Sequence, residues 1–385
     1  MYIGGGHLPQ GATMRLFMDG RYMRTDFHDG ISRFSHSLIQ AAAELIRPTV
    51  ILHDPAQEDL VPPNADVVYL HTPTSAMEPL AARKLNAYQP DVVFSPMQTI
   101  GSVGRNFGLI LTLHDLIYYQ HRTPPRNLPH AVRGLWYLYH MTYAPQRLLL
   151  NRADAVATVS KTSQRLIRKH RLTSRPVHVI SNAPPTVRIP RDPAGVRRKT
   201  LVYMGSFMDY KNVETLITAL RFLPEYQLHL CSRISHARRE EYLQLANACG
   251  VEAGQLYFHN GIADVEYRGL LREATALVTT SRSEGYGLPV AEAMAEGTPV
   301  IMSNLEIFEE IGGLDNPGAL FVNIGSESAD QQVADSVLAL EDRQAFIRAS
   351  TGAVRQANTF DWEHSARTLV NLAEDIYLRR SRRGA

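Results

Sequence analysis

SRSEGYGLPVAEAMAEGTPVI, residues Ser281–Ile301, joins two short apolar runs through a glycine-rich turn and a short helix. The first run is Ala276–Val278 and the second is Val300–Met302. Pro289 suits the first helical position, where a missing N–H costs nothing, and Gly297 ends the helix. The N–H groups at such a helix start have no partner within the helix and can bind an anion. The stretch therefore predicts a strand–turn–helix–strand unit with a phosphate site.

Two glutamates flank this predicted site. Glu284 stands just before the turn, and Glu292 follows one turn into the helix. The neighbours of Glu292 are apolar, and a buried carboxylate without a partner would be costly. A ligand with hydroxyl groups, such as a ribose, would explain its presence. The alternative is an ordinary αβ unit, in which a glycine sits in the turn and a glutamate lies on a surface helix.

The segment resembles the Glu-x7-Glu signature of the family-four retaining glycosyltransferases, which have the GT-B fold. The similarity runs from about Leu16 to Glu374. It implies that Glu284 contacts the donor sugar and that Glu292 holds the ribose hydroxyls. It also implies that the turn and helix start, at Gly287 and Leu288, bind the donor diphosphate, and that Gly285 and Tyr286 belong to the donor site.

Composition sets the class of protein. A chain of 385 residues predicts two domains, and 44% hydrophobic with 20% charged residues is typical of globular proteins. A net charge of +2 disfavours general nucleic-acid binding. Cys231 and Cys249 match neither a metal spacing nor a disulfide framework, and no apolar run approaches the ~20 residues of a membrane span. These features favour a cytoplasmic protein, with residues 1–13 flexible.

Apolar runs alternate with helical patterns along the chain, which predicts two doubly wound Rossmann-like α/β domains. We expect an N-terminal, acceptor-side domain over residues 1–184 and a proline- and arginine-rich linker over 185–199. A nucleotide-sugar-binding domain follows over 200–360. Residues 361–385 supply a closing helix and a basic tail, and the resemblance implies that this helix returns to the first domain. Parallel sheets bind ligands at the carboxyl ends of their strands, so we expect a site in a cleft between the domains.

A second candidate phosphate site follows the strand-like run Leu201–Met204. Gly205 and Ser206 form a turn, and Lys211 and Asn212 precede a helix. A lysine at a helix start is unfavourable unless an anion lies between them. The alternative is a solvated lysine, but the resemblance implies that Lys211 grips the donor diphosphate. Many family members carry an arginine where this chain has Ser206, so a second cation on the diphosphate is either missing or comes from elsewhere, with Arg282 and Arg233 as the candidates.

Two further candidates belong to the first domain. Gly30 follows Asp29 at a predicted strand-to-helix turn, and the resemblance places this turn against the donor phosphate and the acceptor. The alternative role for Asp29, a helix N-cap, is compatible with this one. His114 ends the strand Leu111–Leu113, and the resemblance places it close to the donor sugar. The alternative is a local capping pair with Asp115.

Basic residues cluster in two segments. One extends from Lys161 to Arg175 without an acidic residue, and the other is the tail Arg379–Arg383. Both could be solvated surfaces, or they could contact an anionic membrane at its inner face. The aromatic stretch Leu135–Tyr139 could assist that contact or belong to the core.

The resemblance implies a retaining hexosyltransferase in which a phosphate oxygen of the leaving group acts as the base. The catalytic candidates are His114, Lys211 and Glu284. The overall pattern is closest to mannosyltransferases, which favours GDP-mannose as donor and a glycan or lipid-linked acceptor. No Asp-x-Asp motif occurs, so we predict no metal or other cofactor. The alternatives are a UDP-sugar transferase, a sugar-nucleotide epimerase and a catalytically silent nucleotide-sugar-binding protein.

Overall fold

Short runs rich in Val, Leu and Ile form the buried strands of two separate parallel sheets. The computed structural model describes residues 14–25, 30–122 and 130–384. The chain divides into two compact units. The first contains residues 1–182 and 361–385, and the second contains residues 183–360.

The described part of the first unit holds a sheet of seven parallel strands in the order β3-β2-β1-β4-β5-β6-β7. Its strands are β1 (Leu16–Asp19), β2 (Thr49–Leu52), β3 (Asp66–Tyr69), β4 (Val92–Ser95), β5 (Gly108–Thr112), β6 (Ala155–Thr158) and β7 (Val177–Val179). Its helices before residue 182 are α1 (Gly30–Ala43), α2 (Ala81–Leu85), α3 (Ile117–Gln120), α4 (His130–Met141), α5 (Ala144–Leu150) and α6 (Lys161–Lys169). Most of the central strands are buried on both faces, as expected for a parallel sheet covered by helices.

The second unit holds a sheet of six parallel strands in the order β10-β9-β8-β11-β12-β13. Its strands are β8 (Thr200–Tyr203), β9 (Gln227–Leu230), β10 (Leu256–Phe258), β11 (Ala276–Thr279), β12 (Val300–Ser303) and β13 (Ala319–Val322). Its helices are α7 (Val213–Ala219), α8 (His236–Ala248), α9 (Asp264–Glu273), α10 (Leu288–Ala295), α11 (Glu306–Gly312), α12 (Ala329–Ala339) and α13 (Arg343–Ala357). The strand order reverses between β8 and β11, which is where a doubly wound sheet opens a ligand crevice.

The last helix, α14 (Trp362–Gly384), packs in the first unit against α1. The Trp362 ring lies 5.9 Å from the Phe34 ring of α1, and the Ser365 hydroxyl donates to the Ser181 carbonyl at 2.8 Å. The two parallel α/β sheets and this returning helix confirm the predicted fold class. None of the described helices combines the length and apolar composition that crossing a bilayer requires.

The segment predicted as a linker, residues 185–199, belongs to the second unit. The buried Arg191 donates its backbone N–H to the Glu296 carbonyl at 3.0 Å and its guanidinium to the Ala274 carbonyl at 2.6 Å. The N–H of Arg198 donates to the Glu273 carbonyl at 2.8 Å. The proline-rich composition of this segment predicts that it lacks regular secondary structure, but it does not predict these hydrogen bonds to the second unit.

Two helix starts differ from the sequence prediction. Apolar periodicity predicts a helix only over Tyr242–Ala248, but helix α8 begins at His236, because Ser235 caps it and its charged first turns show no apolar periodicity. Helix α10 begins at Leu288, so Pro289 is the second helical residue rather than the first. Its missing N–H still falls in the first turn, where no intrahelical acceptor exists.

Candidate active site

The loops that follow β8 and β11 lie side by side at the carboxyl edge of the second sheet, because these two strands are hydrogen-bonded neighbours. The first loop leads to Lys211 and Asn212, and the second leads to Glu284 and Gly287. Four of the predicted site residues, which are far apart in sequence, therefore meet where the strand order reverses.

Lys211 and Glu284 form an ion pair at the centre of this edge. The Lys211 Nζ lies 2.6 Å from Glu284 Oε2, and the side chains are 12% and 17% exposed. The other carboxylate oxygen of Glu284 accepts the Gly285 N–H at 3.3 Å. Because both side chains keep limited access to water, their charges act with little screening. An ammonium and a carboxylate are thus held together beside the start of α10.

A reciprocal pair of hydrogen bonds locks the two loops together. The Asn212 amide donates to the Thr280 carbonyl at 3.1 Å, and the Thr280 hydroxyl donates to the Asn212 carbonyl at 2.7 Å. Asn212 adopts the left-handed conformation with φ of 51°. This lock fixes Lys211 opposite Glu284. Sequence reasoning missed Thr280, because nothing local to it indicates a partner 68 residues away.

The start of α10 depends on Gly287. Its φ of +97° favours glycine, and a Cβ built there would lie 2.8 Å from the Phe308 ring. Leu288 opens the helix, and the small pocket here is lined by Lys211 and Glu284 together with Gly287, Pro289 and Phe308 among others. The first-turn N–H groups of α10 and the Lys211 ammonium are suited to an anion.

We expect Gly287→Ala to lower the free energy of unfolding by about 2 kcal/mol or more. The alanine would keep an unfavourable positive φ, and its methyl group would clash with the Phe308 ring. Gly250→Ala is the matched control, because its φ is +73° but no atom lies within 4 Å of the added carbon. That control should lose only about 1 kcal/mol. Urea denaturation measures both, and equal losses would contradict the steric role of Phe308.

Hydrogen bonds to nearby side chains stabilise the turn at Gly205 and Ser206, which follows β8. Gly205 donates its N–H to the Ser232 hydroxyl at 3.1 Å, and the Tyr203 hydroxyl donates to the Ser206 carbonyl at 2.6 Å. The Ser206 side chain is exposed. Arg282 adjoins this loop: its N–H donates to the Tyr210 carbonyl at 2.7 Å, and its guanidinium donates to Asn212 Oδ1 at 3.1 Å.

Two predicted donor-binding side chains are buried. Glu292 lies within α10 and is 9% exposed. Tyr286 packs its ring against Phe360 at 6.4 Å, and burial raises the pKa of its hydroxyl. The structure thus shows a packing role for the Tyr286 side chain.

His114 and Gly30 belong to the first unit. His114 comes shortly after the end of β5, and Gly30 begins α1. Gly30 is exposed and is the first residue of α1, whereas Asp29 lies outside the described residues. His114 follows β5, and its Nε2 lies 2.8 Å from the Pro96 carbonyl. Its ring meets the Phe34 ring edge-on at 5.0 Å. These contacts fix the imidazole beside the end of β4.

A histidine pair lies at the β9–β10 edge of the second sheet, where the sequence predicts the pocket for the nucleotide base, near Phe258–Ile262. His229 Nδ1 and His259 Nε2 are 3.0 Å apart, and the His229 ring stacks on Tyr257. Burial, together with the neighbouring His259, lowers the pKa of His229 to about 4. Burial also lowers the pKa of His259, although Glu266 opposes that change.

We expect this pair to destabilise the fold in acid. Between pH 6.5 and pH 4 an unfolded His229 binds a proton while the folded one does not, so stability falls as the pH falls through this window. His229→Gln should reduce that loss by about 2 kcal/mol, as measured by urea denaturation across the window. His236→Gln, at an exposed position, should leave the pH dependence unchanged. Identical profiles for all three proteins would contradict the shift.

Two family models match the chain. The model described as Glycosyltransferase Family 4 matches residues 28–188, and the one described as Glycosyl transferases group 1 matches residues 190–352. The first match lies in the first unit apart from its last residues, and the second lies within the second unit.

Curated relatives carry mannosyltransferase names. The chain is 26% identical over 182 residues to the GDP-mannose:cellobiosyl-diphosphopolyprenol alpha-mannosyltransferase of Komagataeibacter xylinus, which covers 46% of each chain. It is 31% identical over 141 residues to the O-antigen chain mannosyltransferase RfbU of Salmonella typhimurium, covering 36% of this chain and 38% of that one. The chain thus spans less than half the length of these relatives.

Solved structures share the fold over nearly the whole chain. Sucrose-phosphate synthase from Thermosynechococcus elongatus superposes with a TM-score of 0.73 at 18% identity, covering 95% of this chain and all of the other. Anabaena HepE in complex with UDP and glucose gives a TM-score of 0.70 at 18% identity, covering 94% of this chain and all of the other. With both units matched and both sheets as the fold requires, the chain belongs to the family-four glycosyltransferases and has the GT-B fold.

Proposed function

We propose that the protein is a retaining hexosyltransferase that transfers mannose from GDP-mannose to a glycan or lipid-linked acceptor. The observation that carries this proposal is the Lys211–Glu284 pair, held at 2.6 Å beside the start of α10. The mannosyltransferase names of the relatives favour the donor, and the polyprenol-linked acceptor named for one of them favours a lipid-linked acceptor.

The two charged groups suit different parts of a nucleotide-sugar. Negative charge builds on the leaving diphosphate, and the Lys211 ammonium and the first-turn N–H groups of α10 would stabilise it. The donor sugar gains positive charge at its anomeric carbon, and the Glu284 carboxylate would stabilise that. We propose that a leaving-phosphate oxygen accepts the acceptor proton on the same face and that no metal takes part. We propose that His114 acts close to the donor sugar.

Arg282 is our candidate for the second diphosphate cation, since Ser206 cannot supply one. Its backbone and guanidinium both bond the loop that carries Lys211, whereas Arg233 lies against Gly261 in a different loop. We expect Arg282→Gln to weaken GDP binding about five- to ten-fold, the value of one charge-assisted contact. Arg233→Gln is the control and should change the affinity little. A loss confined to Arg233→Gln, measured by calorimetry, would contradict the assignment.

A thermal-shift screen without added metal tests the donor. A ligand that binds only the folded state raises the melting temperature. At a hundred times its Kd, such a ligand adds about 2.7 kcal/mol to the free energy of unfolding. We expect shifts with GDP and GDP-mannose but not with ADP or dTDP. Shifts with UDP-sugars alone would replace the donor and keep the reaction class. No shift with any nucleotide would overturn the proposal in favour of a silent protein.

Donor turnover separates the remaining classes. The proposed transferase should release GDP slowly from GDP-mannose without an acceptor, and this release should vanish in Glu284→Ala. An epimerase would instead convert the sugar of the donor with no acceptor present. Conversion of the sugar without release would therefore overturn the transferase assignment.

A further inference from the structure

The Glu284 side chain lies beside both groups that favour an anion at the carboxyl edge of the second sheet, the Lys211 ammonium and the start of α10. Its Oε2 lies 2.6 Å from the Lys211 Nζ. Its Cγ lies 3.8 Å from the position that a Cβ on Gly287 would take, so the side chain also adjoins the helix start. The first turn of α10 contains no acidic residue of its own. The chain thus presents a carboxylate at the place proposed for the diphosphate.

Hydrogen bonds tie together the two loops that carry this ion pair. The Asn212 amide and the Thr280 hydroxyl each donate to the backbone carbonyl of the other residue. The Arg282 N–H donates to the Tyr210 carbonyl at 2.7 Å. Because these four residues flank the ion pair in sequence, neither loop can move away while the bonds persist. A diphosphate that reaches the ammonium would therefore still lie close to the carboxylate.

A carboxylate in this position acts differently on two kinds of nucleotide. A nucleoside diphosphate ends in a phosphate with a charge of about −1.5 to −2 at pH 7. The carboxylate repels that phosphate and competes with it for the ammonium. In a nucleotide-sugar the same phosphate is esterified and less charged, and the sugar brings hydroxyl groups that can donate hydrogen bonds to the carboxylate. Only the nucleotide-sugar therefore gives the carboxylate a new partner in place of the ammonium.

We infer that the Glu284 carboxylate selects for a nucleotide that carries a sugar and against the free nucleoside diphosphate. This inference rests on the proposed function, because it takes the Lys211–Glu284 pair as the donor site. When transfer removes the sugar, the carboxylate loses its hydroxyl partners and pairs again with the ammonium. The affinity for the diphosphate product then falls, and the product leaves faster.

An ion pair with a purely structural role predicts something different. Loss of the carboxylate would then disturb the loops and change the affinities for both nucleotides in the same direction. The ratio of the affinity for the free diphosphate to the affinity for the nucleotide-sugar therefore separates the two roles.

Calorimetric titration of Glu284→Gln with GDP and with GDP-mannose tests the inference. Glutamine keeps the size of the side chain and can accept a hydrogen bond, but it lacks the charge. We expect the affinity for GDP to rise about ten-fold, which is the value of one charge-assisted contact. The affinity for GDP-mannose should stay the same or fall, since weaker hydrogen bonds to the sugar offset the gain at the phosphate. Release of GDP that carries an N-methylanthraniloyl fluorophore, followed by stopped flow, should slow by about the same factor.

Two variants serve as controls. Glu284→Asp keeps the charge, so it should not raise the affinity for GDP. Glu240→Gln removes the charge of an exposed glutamate of α8 in the same unit and should leave both affinities unchanged. Melting temperatures should show that every variant is folded.

The outcomes separate this inference from the proposed function. An unchanged or lower affinity for GDP in Glu284→Gln, an equal gain for both nucleotides, or an equal gain in Glu284→Asp would overturn the inference alone. If the unaltered protein binds UDP and UDP-glucose instead, the proposed donor is wrong, and the same ratio measured with that pair decides the inference. Lack of binding of all four nucleotides would overturn both.

Discussion

Lys211→Ala should weaken the binding of GDP by about ten- to a hundred-fold, because a hydrogen bond to a charged group contributes about 1.5 to 3 kcal/mol. The lysine is held 2.6 Å from Glu284 beside the start of α10, and the hydrogen bonds between Asn212 and Thr280 fix the loop that carries it. The free energy of unfolding should fall by about 1 to 3 kcal/mol, since the Glu284 carboxylate, which is only 17% exposed, loses its cation. Calorimetric titration with GDP measures the affinity.

Glu284→Ala is the control for that experiment. It removes the partner carboxylate, so the Lys211 ammonium becomes available and GDP affinity should stay the same or rise. Transfer should nevertheless fall by at least about a hundred-fold, because the proposed contact with the sugar is lost. Unchanged GDP affinity in Lys211→Ala would refute the diphosphate role, and equal losses of GDP affinity in both variants would show that the pair acts only as a structural unit.

The largest expected loss of stability follows from Arg21→Leu in the first unit. The guanidinium makes five hydrogen bonds: two to Asp19, two to Glu78 and one to the His71 carbonyl. Arg21 and Asp19 are fully buried, and Glu78 nearly so. Removing the cation leaves Asp19 with the Ser95 hydroxyl and Glu78 with His71 as their side-chain partners, so two buried carboxylates lose their guanidinium, which should cost about 3 to 5 kcal/mol in the free energy of unfolding.

Arg47→Leu provides the matched control. Its guanidinium lies 2.6 Å from Asp66, but the two side chains are 73% and 53% exposed. An exposed pair contributes only about 0.2 to 1 kcal/mol. Urea denaturation compares the two variants, and a loss at Arg21 no larger than the loss at Arg47 would show that water reaches the buried cluster.

The elements at the candidate site were predictable because their signals are local. Gly287 needs a positive φ, and Pro289, two residues later, suits a first helical turn, so the turn and helix can be placed from neighbouring residues alone. The position of Lys211 between a glycine turn and a helix could likewise be predicted from neighbouring residues. In contrast, α8 starts earlier than predicted, since its charged first turns carry no periodic apolar signal.

Contacts between distant segments could not be predicted, because they depend on strand order. Nothing in the sequence joins Asn212 to Thr280, or Arg21 to Glu78, which are 68 and 57 residues apart. The sequence also left open whether Leu135 and Leu138 of α4 lie in the core or on the surface. An apolar pattern does not reveal which side of a helix other elements cover.

The sequence by itself determined the alternation of strands and helices, the glycine turns and the identity of the charged groups at the helix starts. These features depend on backbone conformation within a few residues. The tertiary structure decided which of those turns meet. Pairing of β8 with β11 brings Lys211 to Glu284, and packing of α5 against the end of α6 brings Arg147 to the carbonyls of His170 and Arg171. The physical reason is that hydrogen bonding between strands and packing between helices join residues whose separation along the chain leaves no local trace.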